Sequence, residues 1–171
     1  KSSVVEYLAV SEDELRDVPW PAEERDVLSK INRRVAAGKS LEEIIDFIFQ
    51  QMRKISACDR VGIAFVEEDG HRITARYAVG DYEPLILGRG YSEDLKGSSL
   101  EPLVQTGKMR LIHDLAAYLE ENPSSTSTRL IVREGVRSSM TCPLMLDGRC
   151  VAVLFRSSRR PYAFDAREAR L

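Results

Sequence analysis

The chain has 171 residues, of which 43% are hydrophobic and 30% charged, with a formal net charge of −2. That length supports one domain with a sizeable core and no staples, and the balance excludes a disordered chain. The small net charge excludes a global field that would recruit nucleic acid or an anionic membrane.

No apolar run nears the ~18 residues of a membrane span, and no signal peptide opens the chain. The chain begins at Lys1 rather than Met and closes at Leu171 within a helical pattern, so it reads as a fragment of a longer protein. Any output domain would lie outside it. Cys58, Cys142 and Cys150 show no metal-ligand spacing. If Asp147-Gly148 is a two-residue turn, Cys142 faces Val153 and Cys150 faces Met145, on opposite faces. That argues against a disulfide and favours buried, reduced thiols, as suits a cytoplasmic protein.

Residues 1–39 read as an N-terminal extension and linking helix. Ser11 and Glu14 suggest a capping box, Pro19 and Pro21 interrupt, and Ala22–Ala37 reads helical. The clearest helix opens at Ser40, boxed by Glu43. Leu41, Ile44, Ile45, Ile48, Phe49, Met52 and Ile55 then recur at helical spacing.

Val61–Val66 and Arg72–Val79 predict a hairpin about Asp69-Gly70, with Gly62 opposite Tyr77. His71 belongs to that turn. Residues 80–97 are irregular and rich in glycine, with Leu85–Leu87 read as a short strand. A capping box at Ser98–Glu101 predicts a helix to Thr106, stopped by Gly107. A strand at Met109–Ile112 and helices over Asp114–Glu121 and Thr126–Glu134 follow. Strands Ser138–Leu146 and Cys150–Ser157 meet at Asp147-Gly148, and Asp165 caps a last helix.

Two of these strands are apolar on both faces, which requires both faces of the sheet to be covered. Small residues at Gly62, Ala64 and Ala152 allow close approach, and a loop-covered face leaves room for a cavity.

Four segments in order carry a resemblance: Leu41–Phe65; Gly97–Leu100 with Val104–Gly107; Leu111–Leu115; and Glu134–Ser138 running through Asp147-Gly148 to Phe155. Together they resemble a GAF domain of a bacterial signalling protein, over residues 40–171. The resemblance implies an α+β fold: an antiparallel sheet of about six strands, long terminal helices on one face, and short helices and loops over a pocket on the other. It also implies a non-catalytic sensory domain that binds a small molecule, dimerises through its terminal helices and regulates an attached output.

The pocket is expected to be lined by Tyr77, Tyr82, Leu87, Tyr91, Leu100, Val104, Leu115, Ser139, Thr141 and Phe155, with residues 80–97 and 120–130 as sensing loops. Arg129 and Arg133, one turn apart, either hold an anion at the pocket mouth or form a solvated face paired with Glu134 or Glu120. His113, beside Asp114, is either a haem ligand or a loop-end residue.

Departures from the family limit the ligand, whose identity, like that of any cofactor, the sequence leaves open. The cyclic-nucleotide signature is missing, and residues 80–138 contain no Cys for a bilin. Two alternatives stand beside the sensory reading. One is a dimerisation or relay module without a ligand. The other is a thiol-dependent methionine sulfoxide reductase, for which no cysteine sits next to a suitable base. Arg156, Arg159 and Arg160 form a basic edge without interleaved aromatics, which is too little for a nucleic-acid site.

Overall fold

A computed structural model describes residues 4–8 and 38–164. The expected helix over Ala22–Ala37, the Ser11 box and the helix from Asp165 lie outside the described residues.

Seven strands form one antiparallel sheet in the order β1-β5-β6-β7-β2-β3-β4. They are β1 (Val5–Leu8), β2 (Arg60–Val66), β3 (Arg72–Gly80), β4 (Ser92–Asp94), β5 (Met109–Ile112), β6 (Ser138–Leu146) and β7 (Arg149–Ser158). The helices are α1 (Leu41–Ile55), α2 (Glu101–Thr106), α3 (Leu115–Glu121) and α4 (Thr126–Arg133).

Helix α1 forms as its sequence dictates. The Ser40 side chain accepts from the Glu43 amide at 3.2 Å, acidic residues fill the first turn and Arg53 and Lys54 the last. Its apolar stripe buries Ile45, Phe49 and Met52 against Val61, Ile63 and Ala152 on one face of the sheet. The other face carries Ala64, Ile73 and Val153, packed under Leu100 and Leu103 from the α2 region. Both faces are therefore covered, as the doubly apolar strands require. Helix α2 stops at Gly107, whose φ of 69° lies in the left-handed region that glycine tolerates.

Four details differ from the sequence reading. The sheet has a seventh strand, because β1 pairs with β5 at the edge. A bulge between Ile63 and Ala64 places Gly62 opposite Ala78 and Ile63 opposite Tyr77. A second bulge, between Leu144 and Met145, moves Cys142 opposite Leu154. The strand of the glycine-rich segment is Ser92–Asp94, not Leu85–Leu87. Ser92 gains hydrogen bonds from Thr74 and Arg72, whereas the backbone of Leu87 is taken by two buried side chains described below.

All three cysteines are free thiols. Cys142 packs near Met109 and Met140, and Cys150 near Ala64 and Leu103. No helix among the described residues is long and apolar enough to cross a membrane.

Candidate functional site

Between the sheet and its roof of Ser99 and Leu100, α3, α4 and the 81–91 loop lies a cavity. The volume open to the centre of a water molecule is about 80 Å³. One water needs only about 10–15 Å³, so the space exceeds a structural-water site several times over.

Strand register explains the floor. Arg110 lies opposite Thr141, Thr141 opposite Phe155, Phe155 opposite Gly62 and Gly62 opposite Ala78. The next row runs Ile112, Ser139, Ser157 and Arg60. Side chains on one face recur at every second residue, so both rows look into the cavity. Gly62 is needed for space here: a Cβ on it would stand 2.9 Å from Nη1 of Arg60. Leu87, Tyr91, Leu100, Leu115 and Ile131 close the roof.

Of the residues singled out from sequence, Tyr77, Leu87, Tyr91, Leu100, Leu115, Ser139, Thr141 and Phe155 border the cavity. Tyr77 does so at the bulge only, because its hydroxyl donates to Oδ1 of Asp46 on α1 at 2.6 Å. The other four lie elsewhere. Val104, on α2, packs into the core with Leu100, Leu103 and Val153. The Tyr82 hydroxyl donates to Glu134 Oε1 at 2.7 Å, and its ring lies 5.0 Å from the Arg159 guanidinium.

Arg129 and Arg133 are exposed, and Arg129 donates to the Pro123 carbonyl at 2.5 Å. Glu134 pairs with neither of them: its partner is Arg60. His113 also lies away from the cavity, stacked on Tyr162 at 5.3 Å with Glu6 3.3 Å from its Nε2. His71 is exposed in its turn.

Four charged side chains, Arg60, Glu134, Arg110 and Glu93, define the site's electrostatics, and the sequence reading assigned none of them to it. Arg60 and Glu134 form a buried pair, Nε to Oε1 at 2.9 Å, with side chains 3% and 0% exposed. The pair pins the roof loop by both backbone groups of Leu87. The Leu87 amide donates to Glu134 Oε2 at 2.6 Å, and Arg60 Nη2 donates to the Leu87 carbonyl.

Arg110 is 4% exposed. Its Nη1 donates to the Ser99 carbonyl, but its buried Nε has no hydrogen-bond partner. Burying a charged donor without a partner costs several kcal/mol. The Tyr118 ring, 5.9 Å away, offsets only part of that. The fourth group, Glu93, accepts from the Tyr91 hydroxyl at 3.0 Å. Burial pushes its carboxyl up, against the pull of the Tyr91 and Ser127 hydrogen bonds and the Arg110 and Arg72 charges.

The signal that could have found these groups is a charge inside an apolar strand. Arg110 sits within Met109–Ile112, and Arg60 opens Val61–Phe65.

The tyrosines give a pH test. The hydrogen bond to Asp46 pushes the Tyr77 phenol up to about 12, and burial with Glu93 nearby pushes Tyr91 up to about 12. An unfolded tyrosine titrates near ~10. The stabilisation linked to these two groups is therefore complete below about pH 10 and lost as pH rises through 12. Phenolate absorbance should show a late-titrating class that loses one tyrosine in Tyr77→Phe and one in Tyr91→Phe.

A seven-stranded antiparallel sheet with a helix on one face and a largely apolar cavity under short helices and loops on the other defines a small α+β module. The GAF domain model matches residues 40–171, and the chain belongs to that family.

Solved structures agree on the fold. The GAF domain of a phosphoenolpyruvate-protein phosphotransferase from Coxiella burnetii is 12% identical, with a TM-score of 0.66 over 87% of this chain and 86% of that one. The phycoerythrobilin-bound GAF domain of a cyanobacterial phytochrome is 16% identical, with a TM-score of 0.64 over 85% and 86%. The free methionine-R-sulfoxide reductase of Neisseria meningitidis, in complex with its substrate, is 20% identical, with a TM-score of 0.64 over 95% and 84%. No curated protein matches the chain.

Proposed function

We propose that this GAF domain is a non-catalytic sensor. It binds a small molecule in the cavity and passes the signal through its terminal helices, as a cytoplasmic homodimer, to an output domain. The observation that carries this reading is the cavity itself. It is roomy, built from both sheet and roof, and lined by apolar walls with a few buried polar groups, as small-molecule sites are. The roof loop is tied through Glu134 and Arg60 to the sheet, so a molecule that displaces Leu87 would bias two arrangements of loop and sheet.

Catalysis by cysteine is disfavoured. The cavity lining includes no cysteine. Burial pushes the thiols of Cys58, Cys142 and Cys150 up, away from the reactive thiolate. Among the described residues no cluster of His, Cys, Asp or Glu could hold a metal ion.

Native mass spectrometry of the purified chain, compared with the denatured chain, tests the proposal. A retained small molecule is expected, and Ser139→Phe should abolish retention while leaving the circular dichroism unchanged, because Ser139 faces the cavity. Retention that survives Ser139→Phe would place the ligand elsewhere. An empty chain under all conditions would favour the relay module. Thiol-dependent reduction of methionine sulfoxide, lost on Cys→Ser substitution, would favour the reductase.

A further inference from the structure

The charges around the cavity are unequally matched. Arg60 is compensated by Glu134 at 2.9 Å. Arg110, the other cavity guanidinium, has no carboxylate within 4.0 Å among the described residues. Glu93 acts on it only from farther away. The Ser99 carbonyl occupies Nη1 of Arg110, while Nε is buried and unpartnered. What remains is the Nε–Nη2 edge of the guanidinium, two parallel donors that match the two oxygens of a carboxylate.

From this geometry we infer that the cavity takes a small organic acid whose carboxylate docks on Arg110 and whose hydrocarbon part lies against Phe155, Leu100 and Ile73. The inference rests on the small-molecule reading above and names its ligand class.

The cross-strand row supports the orientation. Arg110 is followed by the hydroxyl-bearing Thr141, then by the Phe155 ring, which packs with Ile73 and Leu100, while Arg60 fills the space above Gly62 beyond it. A polar end and an apolar end are thus laid out along one line of the sheet. A single negative charge fits best. The Arg60 charge is already matched, and the Glu93 carboxyl also lines the cavity, so a dianion such as phosphate would meet more repulsion than a monoanion.

The test uses the 171-residue chain, ¹⁵N-labelled, and follows the Arg110 Nε–H resonance. The probes are acetate, isovalerate, 2-oxoisovalerate and valine, each beside its primary amide. At least one acid should move that resonance downfield and raise the unfolding temperature, while its amide does neither. Arg110→Lys keeps the charge but loses the two-donor edge, and should weaken the acid about tenfold or more. Arg110→Gln should abolish the response and keep a folded amide spectrum.

An amide that binds as well as its acid, or an acid that still binds Arg110→Gln, would overturn carboxylate docking and leave the sensor reading intact. If no acid moves the resonance yet native mass spectrometry retains a molecule, carboxylate docking is wrong. If nothing is retained either, both readings fall.

Discussion

Glu134→Gln is expected to be among the most destabilising single substitutions in this domain, costing about 3–5 kcal/mol and, for a chain of this size, roughly 10 °C of melting temperature. The Glu134 side chain is fully buried and serves three donors, from Arg60, Tyr82 and the Leu87 amide. Gln keeps an acceptor for one or two of them but leaves the Arg60 cation uncompensated in the interior. Surface ion pairs give about 1 kcal/mol or less, so the two cases separate cleanly in thermal or urea unfolding. A loss below that limit would mean that water reaches the pair.

The substitution should also speed hydrogen exchange in residues 81–91, because Leu87 loses its anchor. Replacing both partners, as Arg60→Met with Glu134→Leu, should recover part of the stability. It removes the stranded charge but leaves Tyr82 and Leu87 without an acceptor.

Phe49→Ala should cost about 3–5 kcal/mol. The ring is 2% exposed and sits between α1 and the sheet, among residues that include Val61, Ile63 and Ala152. The expected readout is a lower urea midpoint. Those three residues lie on β2 and β7, the strands that also carry Gly62 and Phe155 on the cavity face. Under the sensor reading, ligand affinity and α1 docking are coupled through that sheet, and a weakened α1 contact should change both. Ile48, only partly buried on the same helix, should respond less to truncation.

Much of the frame was legible because its causes are local. A Ser40–Glu43 box followed by an apolar stripe can only be read as an amphipathic helix, and α1 begins and buries accordingly. Gly107 stops α2 because the left-handed conformation there excludes most other residues. The turns at Asp69-Gly70 and Asp147-Gly148 follow from turn chemistry. The strands apolar on both faces implied layers above and below the sheet, and the ordered segments named the family.

Less of the site was legible. Small and hydroxyl-bearing residues such as Ser139 and Thr141 reach the cavity through strand alternation, which a sequence displays. The bulge that turns the Tyr77 hydroxyl toward Asp46 is one extra residue without a local signature, so the sequence shows Tyr77 at the cavity but not its bond to α1. The Tyr82 hydroxyl serves Glu134, a partner 52 positions away that no local pattern announces.

The sequence by itself determined most of the elements and their order, the coverage of both sheet faces and the family, because capping, periodicity and turn residues act within a few positions. Only the tertiary structure decided the pairing of Arg60 with Glu134, 74 positions apart, the burial of Arg110 beside Ser99 and Tyr118, and the addition of β1 to the sheet edge. Those depend on which surfaces meet after the chain has closed. A charge shows its partner, or its lack of one, only when the surrounding water has been replaced by protein.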